Sequence, residues 1–381
     1  MSIKTTALIN AKLIIDSTII EDKILLYDSK IIDIVDDILL TDSDNIDIVD
    51  AKGCYVSAGF IDLHIHGSGG ADVMDATPDA LETISTILPS TGTTSFLATT
   101  MTMSSEDIVK ALQNIAQHAP KVTGANILGV HLEGPFLNVS KHGAQDKAFI
   151  QKPSFTLIEN YIDHIKMITI APEVEGSEKF VKMLSTQYPS IIQSIGHSNA
   201  TYAQTKQSFT WGISHATHLF NAMNPYHHRE PGIIGAVFDS DVTCDVIADL
   251  VHTHANTLEL VHKMKKEKLL LITDAMRAGC MKCGNYDLGG RAVEVSQGKA
   301  ILEDGTLAGS VLKMNEALRN MTIHTEMTLV EAVDAVTKVP AGMLGVQKGA
   351  LKVGYDADIV IFDEDFSIIT TIVNGQEKYR K

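Results

Sequence analysis

The middle of this chain alternates eight short apolar runs with longer segments of helical periodicity, and that alternation constrains the fold more than any other feature. The runs fall at 59–65, 94–99, 127–132, 167–171, 191–195, 213–218, 246–249 and 269–273. Short apolar strands followed by helix-period segments are the βα repeat of a parallel sheet. Eight is the number that closes a TIM barrel, a fold of about 250 residues. A chain of 381 residues therefore has a remainder, and it lies at both ends. Up to Val56, bursts of alternating apolar and polar residues at 7–15, 24–27 and 31–35 read as short strands. The far end repeats this texture at 359–362 and 368–373, followed by Asn374-Gly375, a hairpin-turn pair. Neither end could bury a core alone. The expected architecture is α/β: a (β/α)8 TIM barrel over 58–346 and a small β-sandwich domain built from both termini, 1–57 plus 347–381.

Composition narrows the class of partner. The chain is 45% hydrophobic and 20% charged, too apolar for disorder. Its net charge of -16 is spread along the sequence, which argues against nucleic acid and anionic membrane surfaces. A phosphorylated substrate would meet a repulsive average field, so it would need local donors. The start, Met1-Ser2-Ile3-Lys4, lacks the pattern of a signal peptide, and no apolar run approaches the ~20 residues that span a bilayer. The expected location is the cytoplasm. Cys54 and Cys244 stand alone, and Cys280 and Cys283 form one CxxC without a second ligand pair. All four are read as reduced thiols.

Reactive side chains in a TIM barrel gather at the C-terminal ends of the strands, and the unusual residues here fall there. The first strand ends in Asp62-Leu63-His64-Ile65-His66. Strand side chains alternate, so both imidazoles point the same way, as a metal pair requires; a lone histidine would more often be a core residue. The third strand ends in His131-Leu132-Glu133-Gly134-Pro135, with Glu133 a ligand or bridge. The fifth ends at Gly196-His197-Ser198, and the sixth at His215-Ala216-Thr217-His218. Glu133, His197 and His218 compose an N,N,O set that zinc or ferrous iron accepts; His215, earlier in its strand, is read as structural. The eighth ends in Thr273-Asp274-Ala275. A carboxylate beside a metal-polarised water is a natural general base, although Asp274 could also cap the next helix.

These segments, together with Leu219-Phe220-Asn221-Ala222-Met223 and Leu307-Ala308-Gly309-Ser310, resemble the N-acetylglucosamine-6-phosphate deacetylases of the amidohydrolase superfamily. The resemblance runs from the N-terminal strands to Gly354-Tyr355-Asp356-Ala357-Asp358. It implies that Glu133, His197 and His218 hold a catalytic divalent metal (zinc, iron, manganese or cobalt), that Asp274 is the acid/base, and that the N-acetyl group of an amino-sugar phosphate is hydrolysed. It further implies substrate contacts from Ala144, Asn221, Ala222, Arg229, His252 and the turn Ala308-Gly309-Ser310, with Arg229 reaching the neighbouring active site of a homodimer.

Two departures from the family pattern matter. Many relatives carry a carbonyl-polarising histidine where this chain has Gln145, which is placed among the substrate-binding residues. A second metal on His64 and His66 could replace the missing donor, so one or two ions per subunit are expected. In Ala248-Asp249-Leu250-Val251-His252, relatives often have glycine where Leu250 stands. The rivals are another amidohydrolase acting on a different N-acyl amino sugar, a cyclic amide or a nucleobase, and a binding protein that kept the barrel and lost catalysis. Use of Arg229, Asn221 and Ala222 by an anionic substrate separates the first rival, and the complete ligand set argues against the second.

Overall fold

The computed structural model describes residues 5–36 and 46–381. The sequence expectations at 1–4 and 37–45 lie outside those residues. The barrel is present with its eight parallel strands in chain order: Phe60–Ile65, Thr93–Thr100, Asn126–Glu133, Ile165–Ile170, Ile192–Ile195, His215–Ala216, Thr243–Ile247 and Leu269–Ile272. The last strand, Leu-Leu-Leu-Ile, is buried along its whole length, as strands covered on both faces must be.

The first and eighth strands meet at a seam where side chains assist the backbone. Asp274 N donates to His64 O at 2.9 Å, and His66 N donates to Ala275 O at 2.9 Å. Just below, the buried Asp62 carboxylate accepts from Thr273 Oγ1 at 2.5 Å and from His64 N at 3.1 Å. The seam thus ties the His64-His66 strand to Asp274.

Helices cover the barrel and begin where the sequence supplies caps. Thr77 accepts from Ala80 N ahead of Pro78–Ile87, and Thr201 and Thr328 form capping boxes with Gln204 and Glu331.

Both chain ends build two further sheets. A six-stranded sheet interleaves them, with Tyr55–Ala58 pairing antiparallel to Ile359–Phe362 and parallel to Lys12–Ile15. A four-stranded sheet holds Ile31–Val35, Ile24–Tyr27, Thr5–Ile9 and Ile46–Asp50. Leu8, Leu13, Leu25, Val56, Ile359, Ile361 and Ile372 pack together between them, separate from the barrel core. The turn Asn374-Gly375 has φ of 50° and 75°, the left-handed pair of a two-residue hairpin. A Cβ on Gly375 would sit 1.8 Å from Asp28 O.

Two features differ from the sequence reading. The sixth strand is only His215–Ala216 rather than 213–218. It ends early because the Asp245 carboxylate takes the His218 N–H, while Leu219 N turns back to Asp245 O at 2.9 Å. A three-stranded sheet, Gly284–Leu288, Arg291–Ser296 and Lys299–Leu302, follows the eighth barrel strand and was not among the expected strands. Its turns, Gly289-Gly290 and Gln297-Gly298, all have positive φ and are the local signals that mark it.

Candidate metal centre

Six strand-end residues converge at the C-terminal mouth of the barrel. Alternation along the first strand sends Asp62, His64 and His66 to one face. Asp62 stays in the seam, while His64 Nε2 and His66 Nε2 lie 3.2 Å apart. Across the mouth, His197 Nε2 and His218 Nε2 are also 3.2 Å apart. Glu133 stands between the two pairs. Its Oε1 is 3.1 Å from His218, 3.2 Å from His197 and 3.4 Å from His64, and its Oε2 is 3.3 Å from His66. Asp274 Oδ1 is 3.3 Å from His66 and 3.4 Å from His64.

These donors fit divalent cations. His66 and His197 point Nδ1 at the carbonyls of Thr99 and Lys141, at 3.3 and 2.9 Å. A neutral ring donating through Nδ1 presents its Nε2 lone pair to the centre. Lone pairs facing one another need a cation between them. Two imidazole nitrogens on one tetrahedral ion, each ~2.1 Å away, lie about 3.4 Å apart, close to both separations here. The ligand atoms form two sets, His64, His66 and Glu133, then Glu133, His197 and His218, each within 4.8 Å. Glu133 is common to both.

Electrostatics keeps the carboxylates ionised. Burial pushes Glu133 up, but the imidazoles of His64 and His197 outweigh it and hold the carboxyl well below its usual range. Asp274 is likewise raised by burial and lowered further by His64 and His66, to about 2. It is therefore an acceptor at neutral pH. Burial lowers His218, but the hydrogen bond and charge of Glu133 raise it to about 9. The two ionised carboxylates favour a cation at the centre.

The backbone is strained where it delivers these groups. His197, His218 and Asp274 have φ of 46°, 33° and 48°, a region costing non-glycine residues on the order of 1–3 kcal/mol each and found where surrounding structure enforces it.

A cavity of about 210 Å³ opens onto the cluster. His66, Glu133, His197, His218 and Asp274 line it together with Ala144, Gln145, Asn221, Ala222, His252 and Gly309. Asn221 Nδ2 is buried without a partner among the described residues. His252 gives Nδ1 to Asp249 Oδ2 at 2.7 Å, which leaves Nε2 for a ligand. Ala308 and Ser310 stand behind the wall: Ala308 N bonds Ala300 O, and Ser310 N bonds Asp274 O at 2.7 Å. Arg229 is exposed, its Nη1 2.8 Å from His228 Nε2, and does not line this cavity. Among the described residues, no lysine or arginine does.

Sequence reasoning missed several supporting groups. Asp62 and Asp245 anchor the backbone at His64 and His218, and Met101 and Leu288 form apolar wall. Only Asp62 carried a signal, as the first member of an alternating D-x-H-x-H. His215 is structural, bonding Asp245 Oδ2 at 2.8 Å and Thr243 Oγ1 at 2.7 Å.

Comparison with known proteins gives the family. The amidohydrolase family profile matches residues 55–378. The chain belongs to the amidohydrolase family. This amidohydrolase is 42% identical over 329 residues to the N-acetylglucosamine-6-phosphate deacetylase of Bacillus subtilis (strain 168), covering 83% of each chain. It is 36% identical over 325 residues to the N-acetylgalactosamine-6-phosphate deacetylase of Escherichia coli O157:H7, covering 83% of this chain and 86% of that one. The crystal structure of N-acetylglucosamine-6-phosphate deacetylase from Pasteurella multocida superposes with a TM-score of 0.93 at 32% identity, covering 98% of this chain and 99% of that one.

Proposed function

We propose that this amidohydrolase removes the acetyl group of N-acetylglucosamine 6-phosphate, giving acetate and glucosamine 6-phosphate in amino-sugar catabolism, with two divalent ions per subunit. The observation that carries the reading is the shared Glu133 between two histidine pairs, with Asp274 Oδ1 3.3 Å from His66, in a chain 42% identical to a deacetylase.

When bound, divalent ions supply Lewis acidity to the acetyl carbonyl and lower the pKa of a water. The protein's own groups do the rest. Asp274, held ionised by its histidine neighbours, takes the attacking water's proton on a carboxylate oxygen and returns it to the departing sugar amine. Asn221 Nδ2 offers a donor to the sugar phosphate, and His252, whose Nδ1–H is given to Asp249, is left with Nε2 as an acceptor for a sugar hydroxyl, while Ala144, Ala222 and Gly309 shape the cavity wall.

The phosphate still needs a full positive charge, and among the described residues no lysine or arginine lines the cavity. Arg229 of a second copy supplies the bidentate fork that phosphate suits. Its exposure in this chain supports that role, and the working unit is then a homodimer.

Acetate release tests the reading. Protein with metal bound should release acetate from N-acetylglucosamine 6-phosphate far faster than from the unphosphorylated sugar. No release from either would sink it, and faster release from N-acetylgalactosamine 6-phosphate would reassign the sugar. Arg229→Ala should raise KM roughly ten- to hundredfold, the value of hydrogen bonds to a charged group. Mixing Arg229→Ala with Asp274→Asn protein should restore release, because one hybrid site then holds both wild-type groups. Failure of mixing to restore it would place the arginine in its own subunit's site.

A further inference from the structure

Gln145 was expected among the substrate-binding residues, and its surroundings point to a different task. The side chain is 3% exposed and has a defined orientation. Its Oε1 accepts the backbone N–H of Thr102 at 2.7 Å, and its Nε2 donates to Glu133 Oε2 at 2.6 Å. A backbone N–H can only donate and an ionised carboxylate can only accept. The two partners therefore fix which end of the amide is oxygen and direct the NH2 group at Glu133.

The oxygen it holds is the one on which a bridge depends. Glu133 Oε1 already faces His197, His218 and His64, whereas Oε2 faces His66. Without Gln145, the remaining polar contact of Glu133 Oε2 among the described residues is His66 Nε2 at 3.3 Å, and the carboxylate is freer to turn both oxygens toward the His197 side. A hydrogen bond from a neutral amide to a buried carboxylate is a strong one, and its loss leaves a buried charge under-satisfied.

The same loop acts on the opposite ligand pair. Lys141 O, four residues earlier, receives His197 Nδ1 at 2.9 Å. Between them, Gln145 N bonds His142 O at 2.9 Å, and Arg291 Nη1 bonds Ala144 O at 3.2 Å. On the other side, Gly134 brings the chain after Glu133 against Thr102: it has φ of 78°, and a Cβ there would lie 2.1 Å from Thr102 Oγ1. Thr102 is thus fixed relative to Glu133, and Gln145 spans the two.

We infer that Gln145 is a positioning residue that holds Glu133 as a bridge with one oxygen for each of two metal ions, instead of contacting the substrate carbonyl. The inference rests on the two-metal reading given above. A ligand that is itself held by such a partner binds metal more tightly, typically by ten- to a hundredfold.

The test is Gln145→Met, which keeps the length and removes both polar ends. Wild-type and variant proteins are loaded with zinc, counted for bound metal, titrated against a chelator of known affinity, and compared in kcat and KM. The inference expects the variant to lose one ion or to bind it at least tenfold more weakly, with kcat reduced and KM within about twofold of wild type. Two ions held at wild-type affinity together with a raised KM would overturn it, because Gln145 would then be a substrate contact.

Gln145→Asn, which keeps an amide too short to span Thr102 and Glu133, should weaken metal in the same way; wild-type affinity there would also overturn the inference. The metal-stripped variants should melt below wild type, because Thr102 N–H and Glu133 each lose a buried partner, yet keep a wild-type circular-dichroism spectrum, so that weaker metal binding is read on folded protein. A wild-type count of one ion would overturn the two-metal reading and the bridge with it, whereas two ions in wild type with both held at wild-type affinity in Gln145→Met would overturn the role of Gln145 while leaving the two-metal reading intact.

Discussion

Among the described residues, two of the clusters of buried charge are built in opposite ways. In the terminal sheets, Lys348 Nζ lies 2.8 Å from Asp356 Oδ2 and 2.8 Å from Asp358 Oδ2, and the second oxygen of Asp358 accepts Asn374 N at 2.8 Å. Every charge has its opposite within reach. At the barrel mouth, four imidazoles turn their Nε2 atoms on one another and on two carboxylates. That arrangement holds together only around positive charge. A self-satisfied cluster stabilises a fold, whereas a cluster that needs something added is a site.

Substitutions sharpen the contrast, beginning with the largest effect. Asp274→Asn should cut kcat by roughly 10²–10⁴, the range of a lost general acid/base. Its bound metal and thermal unfolding should stay close to wild type. Steady-state kinetics beside metal counting would reveal it, and near-full turnover would remove Asp274 from proton transfer.

The other cluster should answer in stability instead. Lys348→Met leaves Asp358, only 2% exposed, without its cation, and breaking a buried pair this way costs about 3–5 kcal/mol. Urea unfolding should show that loss while kcat per folded molecule is unchanged. A large fall in kcat would break the distinction between the two regions.

The smallest effect is one of pH. Burial lowers Lys348, but Asp358 and Asp356 outweigh it and raise the folded-state value above the ordinary one. A group raised on folding stabilises below its unfolded pKa, about 10.4 for lysine, and that stabilisation is lost as pH rises through the folded value. The melting temperature of the wild type should therefore fall more steeply above pH ~10.4 than that of Lys348→Met. Parallel curves would mean the lysine contributes nothing through its charge.

The parts of the molecule legible in the sequence are those where local pattern and global fold agree. Eight apolar runs became eight strands, and His64, His66, Glu133, His197, His218 and Asp274 lay at their ends because a barrel leaves reactive groups nowhere else. What escaped depends on contacts distant in sequence. Asp62 binds Thr273, 211 residues away; the alternating D-x-H-x-H marks the aspartate, and nothing local marks its partner. The sixth strand shrank because an aspartate on the seventh took its ladder hydrogen bond. The three-stranded sheet after Asp274 was marked only by Gly289-Gly290 and Gln297-Gly298, turn pairs easily passed over beside a barrel pattern. Gln145 was expected among the substrate-binding residues only through the resemblance, and its two partners, Thr102 and Glu133, are visible only in three dimensions.

Metal titration tests the central claim most directly. Protein stripped by a chelator would be given zinc in measured steps while acetate release from N-acetylglucosamine 6-phosphate is followed. The two histidine pairs sharing Glu133 predict that stripped protein is inactive and that release climbs to a plateau at two ions per chain. Full release from stripped protein would contradict a metal-dependent mechanism, and a plateau at one ion would contradict the bridge.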